Sequence, residues 1–386
     1  MKLLQGQGAI DELGLGRIRD AFSNTLFPGM STLQTRAKYF LLMPALYSFL
    51  ERNRISDARE ARAKVREYEI SFTRRLLEGS SSDNLWGIIG ADSLQNRDNY
   101  VKYDPAYVYH AGMETYGLIK TGGNLYQMIA ERSRAFRNTP AKIKTTEGTD
   151  GDSDDLNNER QIFLTCGENY DFKSKDPLSI SLTSREAGFL ARQIIIQTPG
   201  SLIGYLLDSG LYKTAIQYDF ESLEFILKNN LPEDLYRIYI LARRFARFAY
   251  LLRIRYALLY DIGVGAEKAV EEENSFFKWL NRYQEEFYPE AIEEIINFAS
   301  SRVAEESCKT FCLKASRLIA ERNWDALDET IVRREVETKT LKRSKLKNAK
   351  DFEPGKPFEI AGLMSFRWNS IVRNILKEIK EGLENE

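Results

Sequence analysis

The sequence has very few of the residues on which most catalytic and metal sites depend. Its 386 residues include one histidine, His110, and three cysteines, Cys166, Cys308 and Cys312. Serine and cysteine nucleophiles usually need a histidine base, and a zinc site usually draws four ligands from cysteine and histidine. We therefore expect no catalytic residue set, no metal site and no cofactor. So small and odd a set of cysteines also favours reduced thiols and a cytoplasmic location.

The sequence also lacks a large net charge and a long apolar run. Its formal net charge is -1, so any attraction to nucleic acid or to a membrane must come from local patches. The most apolar run, residues 40–50, is about half as long as a membrane span and contains Pro44. The chain turns polar at Gln5, so no signal-peptide core forms. We expect a buried helix at residues 40–50 and no membrane contact.

Helical periodicity is the main pattern that the sequence does contain. Apolar residues recur three and four positions apart, and little of the chain alternates with a period of two. These patterns predict an all-α fold, an irregular multi-helix bundle with little or no sheet. The predicted helices include residues 57–77, 183–197, 232–262 and 324–340. Ser31 and Gln34 match a capping box, which predicts a further helix that starts near Thr32.

Changes in composition along the chain predict its domain boundaries. Residues 145–158 are acidic, contain one apolar residue and have no periodicity, which is typical of a mobile linker. The predicted segments are an N-terminal helical domain (1–140), an acidic loop (141–176), a C-terminal helical domain (177–340), a basic connector (341–357) and a C-terminal docking helix (358–386).

One predicted helix carries a dense group of arginines, with no lysine or acid between the first and the last. The members are Arg237, Arg243, Arg244, Arg247, Arg253 and Arg255. All but Arg253 fall within about a third of the helix circumference. Since guanidinium groups bind phosphate well, the functional interpretation is DNA-backbone contact by Arg237, Arg243, Arg244, Arg247 and Arg255. The simpler interpretation is ion pairing with the glutamates of the next helix.

A second basic cluster lies around the connector. It comprises Arg333, Arg334, Lys339, Lys342, Arg343, Lys345, Lys347 and Lys350. We assign DNA contact here to Arg333, Arg334, Lys342, Arg343, Lys345 and Lys347, with a solvated basic loop as the equal alternative. Arg36 and Lys38 are further candidates, because they open a helix after a short turn, as in a helix-turn-helix. A buried helical hairpin is the favoured alternative for that pair.

Two other patterns suggest different roles. Glu335, Glu337 and Lys339 have a spacing that a metal-dependent nuclease can use, although such groups usually lie on strands. In the last helix, Ile371, Ile375 and Ile379 form an apolar stripe, which we interpret as a surface that docks on a partner.

Several stretches resemble an uncharacterised bacterial domain-of-unknown-function family. They are residues 13–22 (LGLGRIRDAF), 26–32 (LFPGMST), 35–40 (TRAKYF), 86–90 (WGIIG), 107–113 (YVYHAGM) and 366–368 (FRW). The sequence departs from the family pattern at Ala91, where arginine is usual, and at His110, where tryptophan is usual. The resemblance implies a place in anti-phage defence loci of the Druantia or DISARM kind, beside large helicases.

Taken together, these observations favour an accessory, non-enzymatic subunit of an anti-phage defence complex. We expect it to bind other subunits, including a large helicase, and to contact the DNA backbone without reading sequence. The alternatives are a metal-dependent nuclease and a pure scaffold without DNA contact.

Overall fold

The computed structural model describes residues 12–96, 100–138, 162–168, 170–300, 306–351 and 354–385. The predicted acidic stretch at 145–158 lies outside these residues. Sixteen α-helices lie within them: α1 (Gly16–Leu26), α2 (Tyr39–Glu51), α3 (Ala58–Gly79), α4 (Ala91–Asn96), α5 (Pro105–Thr115), α6 (Leu125–Asn138), α7 (Ser184–Gln197), α8 (Leu202–Asp208), α9 (Tyr212–Ala215), α10 (Glu224–Leu227), α11 (Glu233–Val264), α12 (Ala269–Tyr283), α13 (Pro289–Ser300), α14 (Glu306–Ala320), α15 (Trp324–Lys339) and α16 (Arg373–Glu384).

The predicted all-α class is confirmed. In the described part of the chain, β pairing is limited to one isolated antiparallel bridge between Ile119 and Phe163. Short 3-10 turns span Ser82–Asn84, Gln284–Phe287, Leu341–Arg343 and Ala349–Asp351, and a π-helical turn spans Trp368–Val372. None of the helices described is both long enough and apolar enough to cross a bilayer.

The chain forms two compact units, each built from segments far apart in sequence. Unit 1 comprises residues 1–26 and 220–366, and unit 2 comprises residues 27–219 and 367–386. This division differs from the five consecutive segments that the composition predicted. The difference arises because packing joins both ends of the chain to distant segments, which composition along the chain cannot show.

Unit 1 is built around α11, which packs against α1, α12, α13 and α15. Nearly every residue of its middle part is buried, and four arginines are among the buried residues. Phe22 of α1 stacks against Phe245 of α11 and Phe298 of α13. The helix ends at Gly265, whose φ of 69° is a left-handed conformation that glycine adopts at little cost.

Unit 2 has α2 at its centre, in contact with α3, α5, α6 and α7. α2 is buried almost throughout, as predicted for residues 40–50, but it begins at Tyr39 and not near Thr32. Gln34 does accept a hydrogen bond from the Ser31 backbone N–H (3.0 Å), so the two residues make a local turn without starting a helix. α3 and α7 begin within one residue of their predicted starts, behind the caps Asp57 and Thr183.

The isoleucine stripe of the last helix belongs to the core of unit 2. Ile371 is 7% exposed, and Ile375 and Ile379 are fully buried, while α16 packs along α7. The docking interpretation of these three residues is therefore corrected: the apolar face is covered by the protein's own helices and is not presented to a partner.

Candidate nucleic-acid interface

Two of the predicted DNA-binding arginines, Arg243 and Arg247, are buried on α11 and paired with acids. Arg243 lies 2.6 Å from a Glu224 carboxylate oxygen and 3.3 Å from one of Glu221. Arg247 pairs with Glu221 and Glu286, and its guanidinium stacks on the Tyr283 ring at 4.2 Å. Burial raises the pKa of Glu286, while Arg247 acts against that shift.

Further along α11, Arg255 and Arg253 also point into unit 1. Arg255 donates two short bonds to Asp328 (2.6 and 2.7 Å), the bidentate geometry that suits a planar guanidinium. Arg253 donates to the backbone carbonyls of Ala361 and Gly362, and burial lowers its pKa to about 10. Neither guanidinium is placed to reach a DNA backbone.

The remaining arginines of α11 are more accessible. The Arg237 side chain is 67% exposed and lies 2.7 Å from Glu294. Arg244 is 36% exposed and lies 3.5 Å from the same carboxylate. The ion pairs that the sequence offered as the simpler interpretation are thus present, although only Glu286 and Glu294 come from the acid-rich segment that follows α11.

The connector is fastened to unit 1 by Glu335, a fully buried carboxylate of α15. One of its oxygens accepts from the Tyr256 hydroxyl (2.6 Å) and the Lys345 backbone N–H (2.9 Å). The other accepts from the Ser344 hydroxyl (2.6 Å) and the Leu346 backbone N–H (3.0 Å). Burial and the bond to Glu335 raise the pKa of Tyr256, which keeps its phenol protonated as a donor. Four donors on one buried carboxylate hold the start of the connector in a single conformation.

Glu12 provides a second anchor that the sequence did not predict. It is 3% exposed and pairs with Lys339 and with Lys345, whose Nζ lies 3.0 Å away. The Tyr256 hydroxyl lies 3.4 Å from the same carboxylate. Both lysines therefore pair with Glu12, whereas Glu335 accepts from hydroxyls and backbone N–H groups. Nothing near Glu12 in sequence could have identified it, since its partners are more than 200 positions away.

The other connector cations face solvent. Lys342, Arg343 and Lys347 are exposed, and none forms an ion pair with a carboxylate in the described part of unit 1. Arg333 on α15 is exposed as well. Arg334 is buried instead and donates to the Leu13 carbonyl (2.9 Å). We call Lys342, Arg343 and Lys347 the connector surface.

The three groups of the nuclease alternative do not form one open site. Glu335 is buried and saturated with donors, whereas the Glu337 side chain is 52% exposed, as expected for residues two positions apart on a helix. Lys339 is paired with Glu12. The described residues also contain no group of three or more histidines, cysteines or acids that could hold a metal ion.

In unit 2, Arg36 and Lys38 are both buried and paired, which corrects their assignment to a DNA surface. Arg36 is held by Glu378 and donates to the carbonyls of Asn84 and Trp86. Burial raises the pKa of Glu378 to about 7, against the opposing effect of Arg36. Lys38 lies 2.7 Å from both carboxylate oxygens of Glu186.

Residues from three of the signature stretches converge around these cations. The Tyr109 hydroxyl accepts from the backbone N–H groups of Thr35 and Arg36 (2.8 and 2.9 Å). The Thr35 hydroxyl donates to the Gly87 carbonyl (2.6 Å), and the Tyr39 hydroxyl accepts from the Ile89 N–H (2.8 Å). The stretches at 35–40, 86–90 and 107–113 therefore stabilise one another, which gives them a structural role.

Comparison with known proteins places the chain in a family. The family model of DUF6361, described as a family of unknown function, matches residues 1–194. Neither a curated protein nor a solved structure matches the chain.

Proposed function

Because the chain belongs to DUF6361, a family of unknown function, we propose its role from the site itself: a non-enzymatic subunit that binds the DNA backbone through the connector surface. The observation that carries this proposal is that one connector cation is paired with an acid while three others are exposed. Lys345 forms an ion pair with Glu12, whereas Lys342, Arg343 and Lys347 are exposed and have no ion pair within the described residues. Glu335 already holds their loop in place by hydrogen bonds, so the loop loses little conformational entropy when these side chains bind phosphates.

Contact with the backbone alone carries no base information. Three lysine and arginine side chains on a short loop, with Arg333 and the accessible Arg237 and Arg244 elsewhere in unit 1, supply the positive charge that phosphates attract. The subunit therefore binds duplex DNA without sequence preference. Its setting in this proposal is an anti-phage defence complex that contains a large helicase, and the resemblance of the signature stretches supports that setting.

The salt dependence of DNA binding tests the proposal. Three phosphate contacts give a slope of about −2.7 for log affinity against log salt, so raising salt from about 50 to about 200 mM should weaken binding about 40-fold. Fluorescence anisotropy with a labelled duplex measures this directly. Replacing Lys342, Arg343 and Lys347 by alanine should remove most of both the affinity and the slope.

A charge-matched variant is the control. Lys278, Lys314 and Arg317 are exposed cations of α12 and α14 in the same unit, and their replacement by alanine changes the net charge equally. This variant should keep the wild-type slope. No binding by the wild-type chain at about 50 mM salt, or equal losses in the two triple variants, would overturn the proposal.

The second candidate is a scaffold without DNA contact. The internal pairing of Arg243, Arg247 and Arg255 favours it, because those guanidinium groups already serve the fold. Partner subunits that co-purify with the chain while the chain alone and the assembly both fail to bind duplex DNA would select this alternative.

A further inference from the structure

Unit 2 contains a cleft that no sequence motif indicated. It has a volume of about 750 Å³, within the range of small-molecule sites. It lies among the starts of α5 and α6, the loop before α2, and α3. The polar and aromatic side chains that line it include Arg62, Lys102, Tyr107, His110, Asn124 and Tyr126.

The exposed aromatic ring of Tyr107 lines this cleft. Tyr107 is 64% exposed, because its neighbours Ala106, Val108 and Tyr109 occupy the positions of α5 that face the core. Its ring lies 5.3 Å from that of Tyr103, which is 46% exposed. A tyrosine face left open beside a cleft offers a stacking platform for a planar ligand.

Two cations, Arg62 and Lys102, lie at the same cleft. Arg62 is positioned over the Tyr126 ring at 6.0 Å, and Lys102 over the Tyr103 ring at 5.3 Å. Neither forms an ion pair with a carboxylate among the residues described in unit 2. The ring faces orient both cations but leave their N–H donors free for an anion.

The acids near the cleft do not cancel this positive charge. Asp104 lines the cleft, but its carboxylate accepts from the Tyr107 backbone N–H (2.9 Å) as the cap of α5. Glu69 lies behind α5 and accepts from the Ala106 N–H (2.8 Å). Burial raises the pKa of Glu69 well above its ordinary value. Among the described residues that line the cleft, two are cations, Arg62 and Lys102, and one is an acid, Asp104.

We propose that this cleft binds a nucleotide, with the base stacked on Tyr107 and the phosphate held by Arg62 and Lys102. The Asn124 amide oxygen accepts from the backbone N–H groups of Tyr126 and Gln127, and its NH₂ group can donate to an acceptor on the edge of a base. A free mononucleotide and an unpaired nucleotide of a single strand share this chemistry. The site lies in unit 2, so it does not depend on the connector surface of unit 1.

Isothermal titration of the 386-residue chain with AMP, adenosine and inorganic phosphate tests the proposal. AMP should bind, and adenosine and phosphate should each bind on the order of tenfold more weakly, since each supplies half of the contacts. Tyr107→Ala and Arg62→Ala should each weaken AMP binding on the order of tenfold, which corresponds to the loss of one stacked base or one charged contact. Both side chains are exposed, so neither change threatens the fold.

Matched controls come from side chains outside the cleft. Arg74→Ala removes an exposed arginine of the same helix, α3, and Phe225→Ala removes an aromatic ring that is 82% exposed. Both should bind AMP as the wild type does, and so should the connector triple variant. That last result separates this site from the proposed DNA surface, whichever of the two proposals fails.

The source of the nucleotide is decided by comparing TMP with a short oligothymidine. Tighter binding of the oligonucleotide, lost in Tyr107→Ala, supports a single strand as the ligand, and equal binding supports a free nucleotide. The proposal is overturned if AMP shows no binding up to about 10 mM. It is also overturned if phosphate alone binds as tightly as AMP, or if both cleft variants bind AMP like the wild type.

Discussion

The anchoring of the connector by Glu335 can be tested by replacing that residue with glutamine. The carboxylate accepts one hydroxyl and one backbone N–H at each of its two oxygens: Tyr256 and Lys345 at one, Ser344 and Leu346 at the other. Glutamine has almost the same shape but keeps only one oxygen. Whichever way the amide is turned, its NH₂ group faces one hydroxyl and one backbone N–H.

The cost of Glu335→Gln follows from this symmetry. The hydroxyl can rotate and accept from the new NH₂ group, but the backbone N–H cannot, so one buried donor is always left unsatisfied. Such a donor costs about 1–3 kcal/mol, and the other bonds lose the strength that a charged acceptor gave them. We expect the free energy of unfolding to fall by about 2–4 kcal/mol, a large part of the 5–15 kcal/mol typical of a domain.

Urea unfolding followed by circular dichroism measures this loss. The control is Glu337→Gln on the same helix, whose side chain is 52% exposed and 3.8 Å from Arg334; it should change stability by less than about 0.5 kcal/mol. If Glu335→Gln is as mild as Glu337→Gln, the four hydrogen bonds do not anchor the connector and the reasoning is refuted.

Two further predictions concern the buried charges of unit 1. Arg255→Ala should lower the free energy of unfolding by about 3 kcal/mol, because Asp328 loses both of the hydrogen bonds that Arg255 donates to it. Arg237→Ala, at a position that is 67% exposed, should lower it by less than about 1 kcal/mol. Equal losses in chemical denaturation would contradict the burial difference. Burial and the neighbouring Asp261 raise the pKa of Glu272 to about 8, against about 4.3 in an unfolded chain. The wild type should therefore lose more stability than Glu272→Gln as pH rises from about 4 to 8. Thermal unfolding across this pH range measures the difference. If stability plotted against pH gives parallel curves for the two proteins, Glu272 does not hold a proton in the folded state.

Local patterns predicted the helices well because a helix is made by neighbours in sequence. The caps Asp57 and Thr183 bond to the backbone within three residues of themselves, so the starts of α3 and α7 could be read directly. Ser31 and Gln34 show the limit of this approach. They have the spacing of a capping box, but no helix starts there. The backbone N–H groups of Thr35 and Arg36 donate instead to the hydroxyl of Tyr109, more than 70 positions away.

The fate of a charged side chain was much harder to predict, because it depends on partners that are distant in sequence. The arginines of α11 share one face, which the spacing showed, but Asp328 lies 73 positions from Arg255 and Glu221 lies 26 from Arg247. Arg36 and Lys38 look exposed in a polar turn and are buried because Glu378 and Glu186 meet them. Similarly, the isoleucine stripe near the C-terminus could be recognised in the sequence, but its packing against α7 could not.

A cluster of positive charge thus has opposite meanings on α11 and on the connector. On a long helix at the centre of a unit, each cation must find a carboxylate or a carbonyl, because burying an unpaired charge costs far more than the pair returns. On a short loop, successive residues can point in different directions. Ser344 and Lys345 turn inward to Glu335 and Glu12, and their neighbours Lys342, Arg343 and Lys347 are left in solvent. Glu12 pairs with Lys339 and Lys345, and Glu335 holds the loop that carries Lys342, Arg343 and Lys347. The connector surface, and not the arginine helix, is therefore the stronger candidate for a phosphate backbone.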